Sequence, residues 1–234
     1  MRLPVLMFHQ IAPAGTRASG LTIAVDRLKS HFEYLKDQGY SPIHFKDLLL
    51  NELPQKPIII TFDDVYVNQL DWAYPLLQNF GFKACFFIPF KYVGGVNAWD
   101  QGKVKIMSID DLKSIDPSTI ELGFHSFAHG RFDQMTLEKI RADFILCNNF
   151  IKSNQLEVSP VIAYPYGKFP RKGEANVHFI RLLKEFNFSF GLRIGNRLNK
   201  LPLKNTFEIQ RIDIRGEFTD RDFRRKLRYG RFWF

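Results

Sequence analysis

Apolar runs alternate with amphipathic stretches along the whole chain. Seven runs read as strands: Pro4–Phe8, Pro57–Phe62, Ala84–Pro89, Thr119–Phe124, Val161–Tyr164, Phe188–Leu192 and Glu208–Ile214. The Ile58–Phe62 run is apolar and β-branched, which reads as a buried strand of a parallel sheet. Between them the apolar positions repeat at helical spacing. Leu28, Phe32 and Leu35 form one such stripe, stopped by Gly39, and Leu70, Ala73, Leu76, Leu77 and Phe80 form another, stopped by Gly81. Ser108 with Asp111 three residues on predicts a capping box opening a short helix, and Thr136 opens the longest helix, to about Ser153. Strand and helix in turn predict an α/β fold. Seven strands without a linker, repeat or low-complexity segment predict one domain over residues 1–234, a barrel of about seven parallel strands.

Composition narrows the class. With 45% hydrophobic and 24% charged residues, the 234-residue chain reads as an ordinary globular protein, and 24 phenylalanines predict a bulky aromatic core. Cys85 and Cys147 sit in apolar surroundings outside any CxxC pair, so they are expected as buried thiols. The apolar run after Arg2 stops at His9, short of the roughly 7–15 residues of a signal-peptide core, so a cytoplasmic location is expected. No run approaches the ~18–20 apolar residues of a membrane span.

The formal charge is +9, and from Arg211 onward eight Lys/Arg face four Asp/Glu. The tail from Arg221 to Phe234 mixes cations with aromatic residues. It suits peripheral contact with an anionic membrane at its inner face, or a phosphate-bearing substrate. The simpler reading is a final helix with a solvated basic face. No nucleic-acid-binding motif accompanies the charge, so nucleic acid is not expected as a partner.

The chemistry gathers at strand ends. The run Ile58-Ile59-Ile60-Thr61-Phe62 stops in Asp63-Asp64, and the Thr119–Phe124 run stops in His125-Ser126-Phe127-Ala128-His129. His9 and Tyr164-Pro165-Tyr166-Gly167 also follow strands. Ligands of α/β barrels bind at the carboxyl ends of strands, and buried charges persist when paired or metal-bound. An extended chain would separate His125 from His129 by roughly 13 Å. The chain must therefore coil between them, as a helical turn does, to bring both imidazoles to one ion. Neighbouring strand residues point to opposite sides, so Asp63 and Asp64 are expected to divide two roles. One carboxylate joins the histidines on a metal and the other takes a proton. Two histidines and one carboxylate leave coordination positions open for water and substrate. A magnesium site would account for the aspartates but not for the histidines, since magnesium favours oxygen ligands.

Thr61-Phe62-Asp63-Asp64, His125 to His129 and Ala163-Tyr164-Pro165-Tyr166-Gly167 resemble the first three motifs of the NodB-homology polysaccharide deacetylases. Ala73-Tyr74-Pro75-Leu76-Leu77, Gly81-Phe82-Lys83-Ala84 and Phe86-Phe87 resemble the segment that follows the first motif. The opening Met7-Phe8-His9-Gln10-Ile11 is similar to the start of the permuted branch, which includes biofilm poly-N-acetylglucosamine deacetylases. The resemblance implies a distorted (β/α) barrel of about seven strands. It makes Asp63 the general base, Asp64, His125 and His129 the metal ligands, His9 the general acid and Tyr166 a backbone N–H donor to the oxyanion. It implies one divalent transition metal, with zinc the first expectation and cobalt, nickel or iron compatible with the same ligands. The implied reaction removes an N-acyl group, N-acetyl foremost, from an amino sugar in a glycan or in a lipid- or nucleotide-linked precursor. The alternatives are a formyl or other small-amide hydrolase, or a sugar-binding barrel without catalysis.

Three departures stand out. Val65 replaces a common glycine, Gly130 a common proline, and no arginine lies near Ala163 to orient the base. Arg211 and Arg193 are the candidates to supply that arginine from a later strand. Trp99 falls in a loop near the site, suited to stacking on a sugar ring or to ordinary packing.

Overall fold

The computed structural model describes residues 1–50 and 52–231. Phe232, Trp233 and Phe234, the aromatic end of the basic tail, lie outside the described residues. Seven parallel strands form the centre: β1 (Val5–Phe8), β2 (Pro57–Asp63), β3 (Ala84–Ile88), β4 (Ile120–Phe124), β5 (Val161–Ala163), β6 (Phe190–Ile194) and β7 (Ile209–Asp213). Each lies within or one or two residues beyond a run read from the sequence. The sheet closes because β1 pairs on both sides, Leu6 with Ile60 of β2 and with Ile212 of β7. The barrel is uneven: β4 and β5 share the single register pair Phe124–Ile162. A two-residue strand, Ser41–Pro42, adds to the start of β2 from outside.

Among the described residues six α-helices accompany the barrel: α1 (Val25–Asp37), α2 (Tyr74–Phe80), α3 (Ile109–Ser114), α4 (Leu137–Asn154), α5 (Gly173–Glu185) and α6 (Asp220–Tyr229). Local chemistry sets their ends. Ser108 and Asp111 form the capping box of α3, and Thr136 caps α4 by accepting from the Lys139 N–H. Gly81 ends α2 in the left-handed conformation, φ +64°. Among the described residues no helix is long and apolar enough to cross a membrane.

The two-residue period of the strands separates two cores. Ile58, Ile60 and Phe62 of β2 point outward and join the layer between barrel and helices, whose members include Phe32, Leu77 and Phe86. Ile59 points inward with Val5, Cys85, Phe87, Val161, Leu192 and Ile209, plugging the barrel at its amino-terminal end. Gly123 is required beside this plug, because a Cβ there would sit 2.6 Å from the Phe87 ring. Cys85 and Cys147 are both buried free thiols, as expected.

Candidate active site

The inward columns change character along each strand. On β2 the sequence runs Ile59, Thr61, Asp63; on β7 it runs Ile209, Arg211, Asp213; past β1 it runs Val5, Met7, His9. Above the apolar plug these columns deliver charged and imidazole side chains into one pocket of about 510 Å³. Asp63, Asp64, His125, His129, His9 and Tyr166 all line it. A larger hollow of about 690 Å³ lies against α3 and α4 and contains none of these residues.

Asp63 and Asp64 do not simply face opposite ways. β2 ends at Asp63, and Asp64 and Val65 take left-handed backbone, φ +76° and +43°. This turn returns the Asp64 carboxylate to the pocket that strand alternation would deny it. A β-branched residue at positive φ is strained by roughly 1–2 kcal/mol, which explains why glycine suits the position Val65 holds. Buried at 0% exposure, Val65 also packs in the main core, and its carbonyl accepts the Met107 N–H.

No helical turn joins His125 to His129. The segment is a loop made tight by positive φ at Ser126 (+61°) and His129 (+55°), and it brings the two ring centroids to 4.8 Å. The Asp143 carboxylate on α4 accepts the N–H groups of Phe127, at 2.9 and 3.0 Å, and of Ala128, at 3.3 Å. Burial pushes Asp143 up to about 6 against those bonds. Ser126 Oγ accepts the Gly130 N–H at 3.2 Å, a bond a proline there could not donate.

Asp64 Oδ1 lies 3.3 Å from His129 Nε2 and 3.6 Å from His125 Nε2, and one ligand atom from each of the three residues falls within 4.8 Å of the others. Ligands of one tetrahedral zinc, at ~2.0–2.1 Å from the ion, stand about 3.3 Å apart. Asp64 Oδ1 is buried without a hydrogen-bond partner. His125 donates from Nδ1 to the Ala163 carbonyl at 2.7 Å, leaving the Nε2 lone pair toward Asp64. Burial holds His125 down to about 4, so its ring is neutral, the form that ligates. Burial alone would raise Asp64, but His129 and His125 bring it below the ordinary carboxylate range. The donor set fits a transition metal.

Arg211 supplies the arginine missing near Ala163. Its guanidinium donates from Nη1 to Asp63 Oδ1 at 2.5 Å and from Nη2 to Oδ2 at 2.8 Å, with Arg211 1% exposed. Burial works to raise Asp63, yet Arg211, with His125 and His9, holds it well below the usual range. Arg193 takes no part; it faces Glu208 at 3.5 Å. His9 Nε2 stands 3.6 Å from Asp63 Oδ2, and its Nδ1 is buried without a partner. Gln69, on a single π-type turn over Gln69–Ala73, donates to the carbonyls of His9 (2.8 Å) and Asp63 (2.6 Å), tying the two strand ends together.

Tyr166 has φ +58° and leans its ring edge-on to His129 at 4.8 Å. Gly167 follows at φ +65°, where a Cβ would meet Ile194 N at 2.7 Å. Trp99 stacks on the His129 ring, centroids 4.4 Å apart and planes 26° off parallel. Tyr66 lies buried beside Asp64, and burial and that carboxylate push its phenol far up. Asp143, Gln69, Tyr66 and Asp213 escaped the sequence reading, because each is set by tertiary placement; only the parity of Asp213 with Arg211 could have flagged it.

A closed seven-stranded parallel barrel with two histidines and a carboxylate beside an arginine-clamped aspartate defines a hydrolase-type site at strand carboxyl ends. Residues 51–185 match the family model described as Polysaccharide deacetylase. The chain belongs to that family, in its NodB-homology form. Its relatives include YxkH of Bacillus subtilis (strain 168), 23% identical over 72% of this chain, and the poly-beta-1,6-N-acetyl-D-glucosamine N-deacetylase of Escherichia coli (strain K12), 21% identical over 84% of this chain. The chain spans 58% and 35% of the lengths of these two proteins. The fold is shared with the Streptococcus pyogenes deacetylase PplD, solved with acetate (TM-score 0.78, 19% identity, 97% of this chain and 98% of that one). It is also shared with IcaB from Ammonifex degensii (TM-score 0.77, 19% identity, 98% and 97%).

Proposed function

We propose that the protein is a metal-dependent hydrolase that removes an N-acyl group, N-acetyl foremost, from an amino sugar in a glycan. The carrying observation is the Asp64, His125 and His129 ligand triangle beside an Asp63 carboxylate clamped by Arg211. Family membership and the poly-N-acetylglucosamine deacetylase named among the relatives support the substrate class. Asp64, His125 and His129 would hold one divalent ion, zinc first among the candidates. Such an ion supplies an acidified water and positive charge near a carbonyl oxygen.

The chain's own groups do the rest. Asp63, kept ionised by Arg211, accepts the proton of the attacking water. Tyr166 offers its backbone N–H to the oxygen on which negative charge develops. His9, on the neighbouring strand end, delivers a proton to the amine, which leaves poorly without one. Asp213, with Oδ1 buried and unpartnered at the pocket wall, suits a sugar hydroxyl. The complete set argues against a barrel that only binds sugar. Of the partners expected from the sequence, the acylated glycan fits this pocket; an anionic surface would belong elsewhere on the barrel.

The test incubates the purified chain with free and polymeric N-acyl amino sugars and reads amine release, with mass spectrometry identifying the acyl group lost. Asp63→Asn should retain metal and lose ~10²–10⁴-fold in rate. His9→Ala should lose far more on amides than on an activated ester. No amine release from any N-acyl sugar by the metal-loaded chain would defeat the reading.

A further inference from the structure

We propose that the amino-terminal end of the barrel, opposite the catalytic pocket, is a docking face for an anionic phospholipid bilayer. A groove of about 430 Å³ there would seat a lipid phosphate. The inference is independent of the deacetylase reading.

The groove is built by Met1 to Pro4 ahead of β1, by Lys56 ahead of β2, and by α6. Arg224, Leu227 and Arg228 of α6 line the groove together with Met1, Arg2 and Lys56. Four cations line the groove: Arg2, Lys56, Arg224 and Arg228. Among the described residues no carboxylate lines it, and none of the four is in an ion pair. Tyrosines hold two of them in place, with the Arg224 guanidinium 4.8 Å from the Tyr34 ring centre and Lys56 Nζ 5.9 Å from that of Tyr40. Arg224 and Arg228 share one face of α6 at i, i+4 spacing. Four like charges with no acid between them raise a positive potential that draws an anion.

The tail's cations are not one uniform face. Lys226 is buried and turned inward, donating to Asn196 Oδ1 and the Asp213 carbonyl, both at 2.9 Å. It locks α6 to the end of β7 and leaves Arg224 and Arg228 to face the groove.

Exposed apolar side chains favour a bilayer over free phosphate. Met1 is 57% exposed, Leu49 69% and Leu50 62%. Met1, Leu49 and Leu50 sit at this end: Met1 precedes β1 and lines the groove, and Leu49 and Leu50 lie between Ser41–Pro42 and the start of β2. Cations beside exposed apolar groups are the composition of an interfacial membrane site. Docked in this way, the protein would open its catalytic pocket away from the lipid. The acylated sugar would then be met in a glycan extending from the surface, not in the headgroup region.

The experiment is co-sedimentation of the full chain with phosphatidylcholine vesicles, with and without phosphatidylglycerol, at low and high salt. Binding should require phosphatidylglycerol and weaken with salt. Arg224→Gln with Arg228→Gln should lower it on the order of 30-fold, given the usual contribution of a basic residue near an anionic surface. Arg2→Gln with Lys56→Gln, on the other wall, should do the same without touching α6. Removing equal charge from α4 by Lys139→Gln with Lys152→Gln should change binding less than about twofold. Circular dichroism and metal content confirm that each variant folds. The proposal is overturned by absence of vesicle binding at low salt, or by equal loss in the α4 variant, which would mean net charge alone. Saturation of the groove by inorganic phosphate with no vesicle association would overturn it too.

Discussion

At the scale of single residues, the site depends on how its imidazoles are oriented. His125 is fixed by a hydrogen bond to the Ala163 carbonyl, but His129 Nδ1 is buried without a partner. Metal-bound histidines usually donate that second N–H to an acceptor. Here the ring is held instead between the face of Trp99 and the edge of Tyr166. Stacked aromatic pairs contribute ~0.5–1.5 kcal/mol beyond burial, enough to select one ring orientation. Trp99→Ala should therefore weaken metal affinity about tenfold, measured by equilibrium dialysis, while Trp99→Phe restores most of it. If Trp99 served only as a platform for sugar, metal affinity would stay unchanged and KM alone would rise.

At the scale of elements, packing of α6 on α1 carries a buried ionisable group. His31 of α1 stacks on Phe223 of α6, ring centres 3.8 Å apart and planes 7° off parallel, and neither ring nitrogen has a partner. Burial holds His31 down to about 3, with Asp220 opposing and Arg27 assisting. The folded state refuses a proton that the unfolded chain accepts below ~6.5. Between pH 6.5 and about 3 the unfolded state thus binds more protons, and stability falls as pH falls. The slope reaches about 1.4 kcal/mol per pH unit for this one group. Denaturant unfolding at stepped pH should show the loss, and His31→Phe, which keeps the stack, should flatten it over that window. An unchanged slope in His31→Phe would assign the acid sensitivity to other groups.

Sequence legibility also divides by element. All seven barrel strands could be read, because burial leaves most of them as runs rich in apolar residues, and the caps of α3 and α4 are local chemistry. Helix spacing was the wrong model for His125 to His129. That loop draws its shape from two left-handed residues and from Asp143, fourteen positions beyond His129 on another element. Likewise Arg211 could be named as a candidate partner of Asp63 but not chosen over Arg193. Only the register of β6 and β7 decides which guanidinium enters the barrel, and it pairs Arg193 with Gln210, leaving the two arginines on opposite parities.

At the scale of the whole molecule, the candidate metal ligands join distant parts of the chain across the barrel. Asp64 leaves β2, His125 and His129 leave β4, and the Asp63–Arg211 pair ties β2 to β7. An ion bound by the folded site alone must stabilise the fold by mass action. At a free concentration a thousandfold above Kd the gain is about 4 kcal/mol. For a domain of this size that corresponds to a rise in Tm of roughly 8–16 °C. Differential scanning calorimetry of the chelated chain, before and after zinc addition, reads it without reference to catalysis. Asp64→Asn alters one of the three candidate ligands and should abolish most of the shift. Asp63→Asn should lower the baseline Tm, since it disturbs a buried ion pair with Arg211, yet preserve the increment from zinc. Equal loss of the increment in both variants would show that the two carboxylates share the ion rather than dividing its binding from proton transfer.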